Sequence, residues 1–388
     1  IRRCHGARQE GKVTEFHVNI VRLTDVTKHP NADSLYIAKI HGGYPVIFRG
    51  KEHGGHFEEG DLAVYVPVDS LLPATKEFAW LSPPVAVLGS GASPGRDKHL
   101  PGGGTEMVAP PVLREQDRRV RAKRLRGVFS MGLLCPPPEG AVEGQDVAEL
   151  LGITKYEPPE EAISASRTNG FQVPAPRLAI VPGAYDIEGL RRYTDAFEPG
   201  EAYVCTEKIH GQNARFVHDG EKLHVGSRTR WLTTEERNTW SDVATRYGLA
   251  AKLAKRPKVV FFGETYGNNS DMPYGVERGK TGDELRFFDA FCSETGRWYD
   301  HDELLATCEE LGLAVVPELC RGVWGEGEFA KLLPLAEGNT TLLGGKGHVR
   351  EGFVIRPLKE RSMRGGDYVG GRLILKLHGE GYLTRKGA

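Results

Sequence analysis

A lysine at a strand-to-turn junction is the first residue in this sequence that could carry out covalent chemistry. The segment from Tyr203 to Lys208 alternates in polarity, so it predicts a strand that delivers Lys208 into a turn at Gly211. A lysine in such a place is usually only solvated. An amine that has lost its proton can instead attack phosphorus and become covalently bound. The neighbours of Lys208 therefore decide between the two interpretations.

Further strand-like segments place charged groups at their ends or within apolar runs. Side chains repeat every second residue along a strand, so Lys376 and His378 are expected on one face. Each segment alone could be an ordinary strand end, but the ordered set predicts a site. In chain order these groups are Arg228, Glu264, Asp289, Glu351, Lys376 and His378.

The order of these segments resembles that of the covalent nucleotidyltransferases, the superfamily of ATP-dependent polynucleotide ligases and mRNA capping enzymes. Most members have Asp or Asn at the position of His210. In the last motif most have two lysines that are two residues apart. Here that pair is matched by Lys376 and His378 or, in the other alignment, by Ile374 and Lys376. The six motifs are matched by Lys208-Ile-His-Gly211, Ser227-Arg228, Phe262-Gly-Glu264, Phe288-Asp289, Glu351-Gly-Phe-Val-Ile355 and Leu375-Lys376-Leu377.

The resemblance implies a role for most of these residues. Lys208, Lys376 and Glu351 would be catalytic, and Lys208 would carry AMP. ATP would contact Glu207, Lys208, Glu264, Phe288 and Lys376, with Phe288 against adenine and Glu264 at the ribose. Arg228 would contact a phosphate. Glu351 would bind Mg²⁺ or Mn²⁺; His210 would act through water, because imidazole is a poor ligand for a hard cation. The roles of His210, Gly211, Asp289 and His378 stay open.

The first half of the chain predicts a small β-barrel of the OB type, because short strands alternate with glycine-rich turns. Segments 29–34, 60–69 and 124–134 resemble a subfamily of RNA ligases in which the OB domain precedes the catalytic domain. The expected fold class is α+β and β-rich: an N-terminal OB-like barrel, then a nucleotidyltransferase domain of antiparallel sheets with flanking helices. Helices are expected over 235–255 and from Asp300 to Leu311.

Composition shifts predict the domain limits. Residues 1–153 would form the OB-fold nucleic-acid-binding domain, 154–170 a linker and 171–388 the catalytic domain. A glycine-rich stretch, about 83–113, would be a loop insertion, since no strand-then-helix frame makes it a nucleotide-binding loop.

A basic run with a local net charge of +5 follows the insertion. It is either a solvated face or a contact for nucleic-acid phosphates. Its basic residues are Arg114, Arg118, Arg119, Arg121, Lys123, Arg124 and Arg126.

Overall composition excludes several classes. Lys and Arg number 51 against 52 Asp and Glu, so the chain is not a global polycation. No apolar run approaches the ~20 residues that cross a bilayer, so no membrane association is expected. The six cysteines are scattered and form no CxxC pair, which is typical of a reducing cytoplasm.

The resemblance implies an ATP-dependent RNA ligase that seals 3′-hydroxyl and 5′-phosphate RNA ends through lysyl-AMP and adenylylated RNA, in RNA repair. Its partners would be RNA and ATP. A DNA ligase or capping enzyme is the first alternative, although both carry the OB domain after the catalytic domain. A non-catalytic OB-fold RNA-binding protein is the second; the presence of Lys208, Glu264, Glu351 and Lys376 counts against it.

Overall fold

A computed structural model describes residues 16–82, 85–88, 105–108, 112–156, 171–183, 185–267, 272–277, 282–343, 347–363 and 371–385. The chain divides into two compact units. The smaller contains residues 16–40 and 44–156, and the larger contains 41–43 and the described residues from 171 onward. The domain and linker limits stay a prediction, because 157–170 lie outside the described residues. Among the described residues, no helix combines the length and apolar character needed to cross a membrane.

The smaller unit is built from short strands, as the turn-rich sequence predicts. One sheet has the order β1-β5-β11 and another β2-β3-β4, while β9-β10, β12-β6 and β7-β8 are two-stranded. The strands are β1 (Asn19–Arg22), β2 (Thr27–Lys28), β3 (Leu35–Ile40), β4 (Tyr44–Arg49), β5 (Leu62–Val66), β6 (Ser70–Leu71), β7 (Val85–Leu88), β8 (Thr105–Val108), β9 (Lys123–Leu125), β10 (Val128–Ser130), β11 (Leu133–Cys135) and β12 (Thr154–Lys155).

Gly132, which adopts φ +96°, separates β10 from β11. One part of this unit differs from the sequence-based expectation. The expected loop insertion contains the antiparallel pair β7–β8, in which Val85 faces Val108. Residues 89–104, the centre of that insertion, lie outside the described residues. We name β9, β10 and their connecting turn, residues 123–130, the basic hairpin.

The larger unit contains two sheets. The seven-stranded sheet has the order β13-β18-β17-β16-β19-β20-β21, and the five-stranded sheet β14-β24-β23-β15-β22. Among the described residues, the neighbouring strands of these two sheets run antiparallel, except β14 with β24, which are parallel. The strands are β13 (Gln172–Val173), β14 (Glu188–Gly189), β15 (Ala202–Lys208), β16 (Gln212–His218), β17 (Leu223–Gly226), β18 (Trp231–Leu232), β19 (Val259–Tyr266), β20 (Glu284–Cys292), β21 (Arg297–Trp298), β22 (Glu318–Val323), β23 (Gly352–Pro357) and β24 (Leu375–His378).

The helices of the larger unit are α1 (Thr239–Arg246), α2 (Leu249–Leu253), α3 (His301–Leu311), α4 (Glu328–Leu332) and α5 (Glu380–Leu383). The first three share an apolar core with the seven-stranded sheet. The helix expected over 235–255 is wrong in its bounds: Asn238 caps α1, and Gly248 at φ +62° separates α1 from α2. The helix after Asp300 is confirmed, with a capping box formed by Asp300 and Glu303 and an end at Gly312.

Two glycines let backbone segments approach each other around the Lys208 strand. A Cβ added to Gly211 would lie 2.1 Å from the carbonyl oxygen of Thr265 in β19. A Cβ added to Gly352 would lie 2.0 Å from that of Leu377 in β24, and Gly352 also has φ +151°. Both separations are shorter than any side chain can tolerate. The sequence therefore needs glycine here so that β24 can lie against the start of β23.

Replacing Gly352 with Ala is expected to destabilise the larger unit by at least ~1–3 kcal/mol, because the added methyl group overlaps the Leu377 carbonyl. Gly325→Ala is the matched control, since a Cβ there would meet nothing within 4 Å. Thermal unfolding followed by circular dichroism measures both. Equal melting temperatures for the two variants would contradict the close approach.

Candidate active site

Lys208 ends β15 and faces a buried carboxylate. Its Nζ donates to Oε1 of Glu351 at 2.6 Å. The pair forms because Lys208 lies opposite Gly352 in the register of β15 and β23, which places residue 351 beside it. The side chain of Glu351 is 6% exposed and that of Lys208 is 24% exposed. The amine thus remains accessible while its partner is shielded from water.

Glu351 is surrounded by cationic or ionisable groups. His378 Nε2 lies 3.4 Å from Oε1 and His210 Nδ1 lies 3.9 Å from Oε2. Oε2 is buried and has no hydrogen-bond partner among the described residues. Burial opposes ionisation of Glu351, but Lys208 and His378 outweigh it and hold its pKa well below the ordinary value. The Glu351 carboxyl is therefore held in its ionised form, and its Oε2 can bind a ligand.

Lys376 and His378 lie on one face of β24, as the sequence predicts, and both are partly buried. Leu375 and Leu377, on the opposite face, are buried. Burial lowers the pKa of Lys376, and the positive charge of Lys208 lowers it further. Burial also lowers the pKa of His378, although Glu351 opposes this shift. Both shifts favour the uncharged forms of these side chains.

Glu264 approaches the same place from the other sheet. It lies on β19 opposite Asn213 of β16. Burial raises the pKa of Glu264 to about 8; the charge of Lys208 opposes this shift and that of Glu351 adds to it. The two sheets therefore bring Lys208, Glu351 and Glu264 within electrostatic range of one another.

Glu207 precedes the nucleophile candidate and is 1% exposed. Its Oε2 accepts hydrogen bonds from the backbone N–H of Thr341, at 2.8 Å, and from the Thr341 hydroxyl. Its Oε1 is buried without a hydrogen-bond partner among the described residues. This oxygen can accept a hydrogen bond from a bound ligand.

Phe288 and Asp289 have distinct surroundings. Phe288 is half-buried, and its ring centroid lies 5.1 Å from that of Tyr185. Asp289 is fully buried and accepts from Arg356 at 3.1 Å, Arg372 at 2.7 Å and the Tyr185 hydroxyl at 2.7 Å. Burial opposes its ionisation, yet Arg372 and Arg356 hold the pKa of Asp289 below its ordinary value. Asp289 therefore anchors the strand that carries Phe288.

Two tyrosines that the motifs did not indicate position His210. The Tyr274 hydroxyl accepts from the His210 backbone N–H at 2.7 Å, and the Tyr382 hydroxyl lies 3.0 Å from His210 Nδ1. Tyr382, on α5, also stacks on His378 with centroids 5.7 Å apart. No sequence signal marked them, because Tyr274 lies in an irregular segment and Tyr382 lies beyond the last motif.

Arg228 lies at an exposed turn between β17 and β18. The turn is closed by Ser227, whose backbone N–H donates to the carbonyl of Arg230 at 2.9 Å. Arg228 is thus exposed to solvent, and among the described residues it is not hydrogen-bonded to Lys208 or Glu351.

The basic run is divided by the fold. Arg114 pairs with Asp117, Arg118 with Glu115, and Arg119 with Asp69. Their charges are thus largely compensated within the protein, while contact between the run and nucleic-acid phosphates stays a prediction. The exposed members are Arg121, Lys123, Arg124 and Arg126.

The site fits a hydrated divalent cation. Within the described residues, no cluster of three or more His, Cys, Asp or Glu side chains could enclose a metal. Mg²⁺, however, often takes only one or two carboxylates and fills its shell with water and substrate phosphates. The unpartnered Oε2 of Glu351 provides such a ligand.

Comparisons with known proteins agree with this arrangement. The RNA ligase family model matches residues 201–378, and an OB-fold domain model matches residues 17–91. No curated protein sequence matches the chain.

Solved structures of a Naegleria gruberi RNA ligase share the fold of nearly the whole chain. One single-alanine variant with ATP and Mn has a TM-score of 0.67 at 19% identity, covering 95% of this chain and 98% of that chain. A second such variant has a TM-score of 0.69 at 20% identity, with 94% and 98% covered. The form with PPi has a TM-score of 0.67 at 20% identity, with 94% and 97% covered.

The fold and the lysine–carboxylate site are similar to those of covalent nucleotidyltransferases. Within that class, residues 201–378 match the RNA ligase family, and residues 17–91, which precede them, match an OB-fold domain. The sequence-based identification of an RNA ligase with an N-terminal OB domain is therefore confirmed, as is the β-rich fold class.

Glu264→Gln is expected to stabilise the ligand-free protein at alkaline pH. The ordinary glutamate pKa is 4.5 and that of Glu264 is raised to about 8, so the protonated carboxyl contributes stability at low pH. That contribution is lost as pH rises through about 8, because the unfolded chain ionises more readily. Glutamine cannot ionise and escapes the loss.

Melting temperatures measured from about pH 4 to about pH 9 test this, with the gain growing between pH 4.5 and about pH 8 and constant above. Glu149→Gln, at an exposed position, is the control. A difference between Glu264→Gln and wild type that does not vary with pH would refute the assignment.

Proposed function

We propose that this protein is an ATP-dependent RNA ligase that joins a 3′-hydroxyl end to a 5′-phosphate end. The observation that carries the proposal is the accessible Lys208 amine, 2.6 Å from the buried Glu351 carboxylate, within the segment that matches the RNA ligase family. The role in RNA repair and a cytoplasmic location are part of the proposal.

In the first step the Lys208 Nζ attacks the α-phosphorus of ATP. A P–N bond forms, the bond from the α-phosphorus to the bridging oxygen breaks, and pyrophosphate leaves. The amine must first leave its ion pair with Glu351 and lose a proton to solvent. Lys376 is partly buried and near enough to Lys208 for their charges to interact, so it would stabilise the negative charge that develops on the α-phosphate.

In the second step a 5′-phosphate oxygen of RNA attacks the phosphorus of lysyl-AMP. The P–N bond breaks, Lys208 regains a proton, and a pyrophosphate linkage joins AMP to the RNA. In the third step the 3′-hydroxyl attacks the RNA 5′-phosphate, loses its proton, and AMP leaves. Lys376 again faces the phosphate that carries the developing charge.

The side chains around Lys208 suit the parts of ATP. Phe288 is half-buried and offers a ring on which adenine can stack. The unpartnered Oε1 of Glu207 can accept from an adenine amino group, and Glu264 can bond the ribose hydroxyls. Exposed Arg228 would contact a phosphate of ATP or the RNA 5′-phosphate.

Glu351 would hold a divalent cation, Mg²⁺ or Mn²⁺, through Oε2, with His210 contacting its water shell. The cation would add positive charge at the α-phosphate when bound. His210 is already oriented for this by Tyr274 and Tyr382.

The OB-fold domain would bind RNA through the exposed cations of the basic run. OB folds commonly hold nucleic acids in grooves that combine positive charge with stacking surfaces. Arg121, Lys123, Arg124 and Arg126 are exposed and lie within or beside the basic hairpin. A DNA ligase or capping enzyme would share the catalytic site. Joining assays on otherwise identical RNA and DNA nicks separate these alternatives from the proposal.

Lys208→Ala is expected to abolish covalent labelling of the protein by radiolabelled ATP, because alanine cannot form the P–N bond. It should still join pre-adenylated RNA to some extent, since that substrate bypasses the first step. Lys258→Ala is the matched control, because Lys258 is an exposed lysine paired with Glu294. A labelled band of wild-type intensity from Lys208→Ala, on a denaturing gel, would show that the nucleophile is misassigned.

Neutralising the basic hairpin is expected to impair sealing while sparing covalent labelling. Replacing Lys123, Arg124 and Arg126 with Gln should weaken RNA binding and reduce the salt slope of log K by roughly one unit per lost phosphate contact. Replacing exposed Lys222, Arg237 and Lys255 of the larger unit with Gln removes the same charge and serves as the control. Equal weakening by both sets would indicate only a general charge effect.

A further inference from the structure

The loop between β2 and β3 holds the end of the basic hairpin through a buried histidine. His29 begins this loop and is 3% exposed. Its Nδ1 accepts from the backbone N–H of Asn31 at 3.0 Å, and its Nε2 lies 3.2 Å from the carbonyl oxygen of Leu125. Because Nδ1 is the acceptor, Nε2 carries the proton and donates to Leu125. Both ring nitrogens are thus used within the protein.

Asn31 makes the next contact along the same turn. Its Nδ2 donates to the carbonyl oxygen of Arg126 at 2.9 Å. A Cβ added to Gly127 would lie 3.8 Å from this Nδ2, so the amide rests directly over the turn. His29 and Asn31 therefore hold two successive carbonyls of one turn.

The basic hairpin needs such support. Arg126 and Gly127 have φ +47° and +85°, the pattern of a tight two-residue hairpin turn in which a non-glycine residue is strained. Only three residue pairs join β9 to β10, and a two-stranded ribbon of this size is marginally stable alone. Ser130, whose Oγ accepts from Ile47 N–H at 3.0 Å, anchors only the base.

The side chains carried by this hairpin are cations in solvent. Lys123, Arg124 and Arg126 are all exposed. Arg124 also lies over the Phe129 ring at 5.8 Å, which restrains its stem. Long cationic side chains lose much conformational freedom when they bind phosphate, and a rigid backbone beneath them reduces that loss.

We propose that His29 and Asn31 are positioning residues for RNA binding: they fix the turn of the basic hairpin so that its cations meet RNA phosphates as a preorganised set. This inference rests on the proposed function and deepens it. Neither residue contacts RNA itself. They act by holding the carbonyls of Leu125 and Arg126, which fixes the backbone that carries the Arg126 side chain.

The test measures the affinity of the full chain for a fluorescent RNA duplex with one 5′-phosphate nick, at several salt concentrations. Asn31→Ala should weaken binding roughly fivefold, since it removes one hydrogen bond that holds the turn. His29→Ala should weaken it by about tenfold or more, because it also exposes the Leu125 carbonyl. His29→Gln should recover most of the affinity, since the glutamine amide can donate to the same carbonyl.

A double-mutant cycle separates positioning from general destabilisation. In an Arg126→Gln background, Asn31→Ala should cost much less than in the wild type, because the main cation that it orients is gone. Ser82→Ala is the structural control: Ser82 is 3% exposed and also ties a loop of this unit, accepting from Arg114 N–H at 3.1 Å. We expect it to keep wild-type RNA affinity.

Three results would overturn the inference. The first is wild-type affinity for Asn31→Ala, and the second is the same loss with and without Arg126. The third is an equal loss in Ser82→Ala and Asn31→Ala that tracks their melting temperatures. A wild-type protein that takes no label from ATP and binds no RNA would instead refute the proposed function. The two failures are therefore distinguishable.

Discussion

The ion pair between Lys208 and Glu351 is the interaction on which the rest of the catalytic site depends. A carboxylate as buried as that of Glu351 is costly unless a cation accompanies it, and removing one partner of such a pair typically costs ~3–5 kcal/mol. The pairing follows from the register of β15 and β23, which places Lys208 opposite Gly352. Gly352 in turn lets β24 pair closely with β23 in the same sheet. Lys376 and His378 reach the same face only because this sheet is intact.

The second sheet adds groups that modify this pair. Glu264 extends from β19, and its raised pKa is a sign that two carboxylates and one lysine share a small, partly dry space. Burying like charges close together is unfavourable for the protein alone. A ligand that offers a cation or a hydrogen-bond donor to these carboxylates can reduce that cost. Asp289 differs from these carboxylates, because each of its two oxygens is paired with an arginine of the protein, Arg356 or Arg372.

Motif order was sufficient to predict Lys208, Glu264, Glu351 and Lys376 as neighbours, because each lies on or next to a strand of regular polarity. Contacts between distant segments could not be predicted in this way. Tyr382 reaches His210 across 172 residues of sequence, and the pairing of Arg119 with Asp69 depends on how β6 is placed. The break at Gly248 was missed because apolar spacing continues through it, while the left-handed backbone that ends α1 leaves no mark on that spacing.

The Lys208–Glu351 pair has a consequence for the covalent intermediate. In the proposed cycle Lys208 becomes bonded to AMP. Its nitrogen then no longer carries a positive charge, and a phosphate anion is brought to the side of a buried carboxylate. Attraction is thereby replaced by repulsion between like charges at short range. We expect this repulsion to favour departure of AMP toward RNA, after which the ammonium returns and charge balance is restored. Under this proposal the free protein and its adenylylated form are two electrostatic states of one site, and the reaction cycle alternates between them.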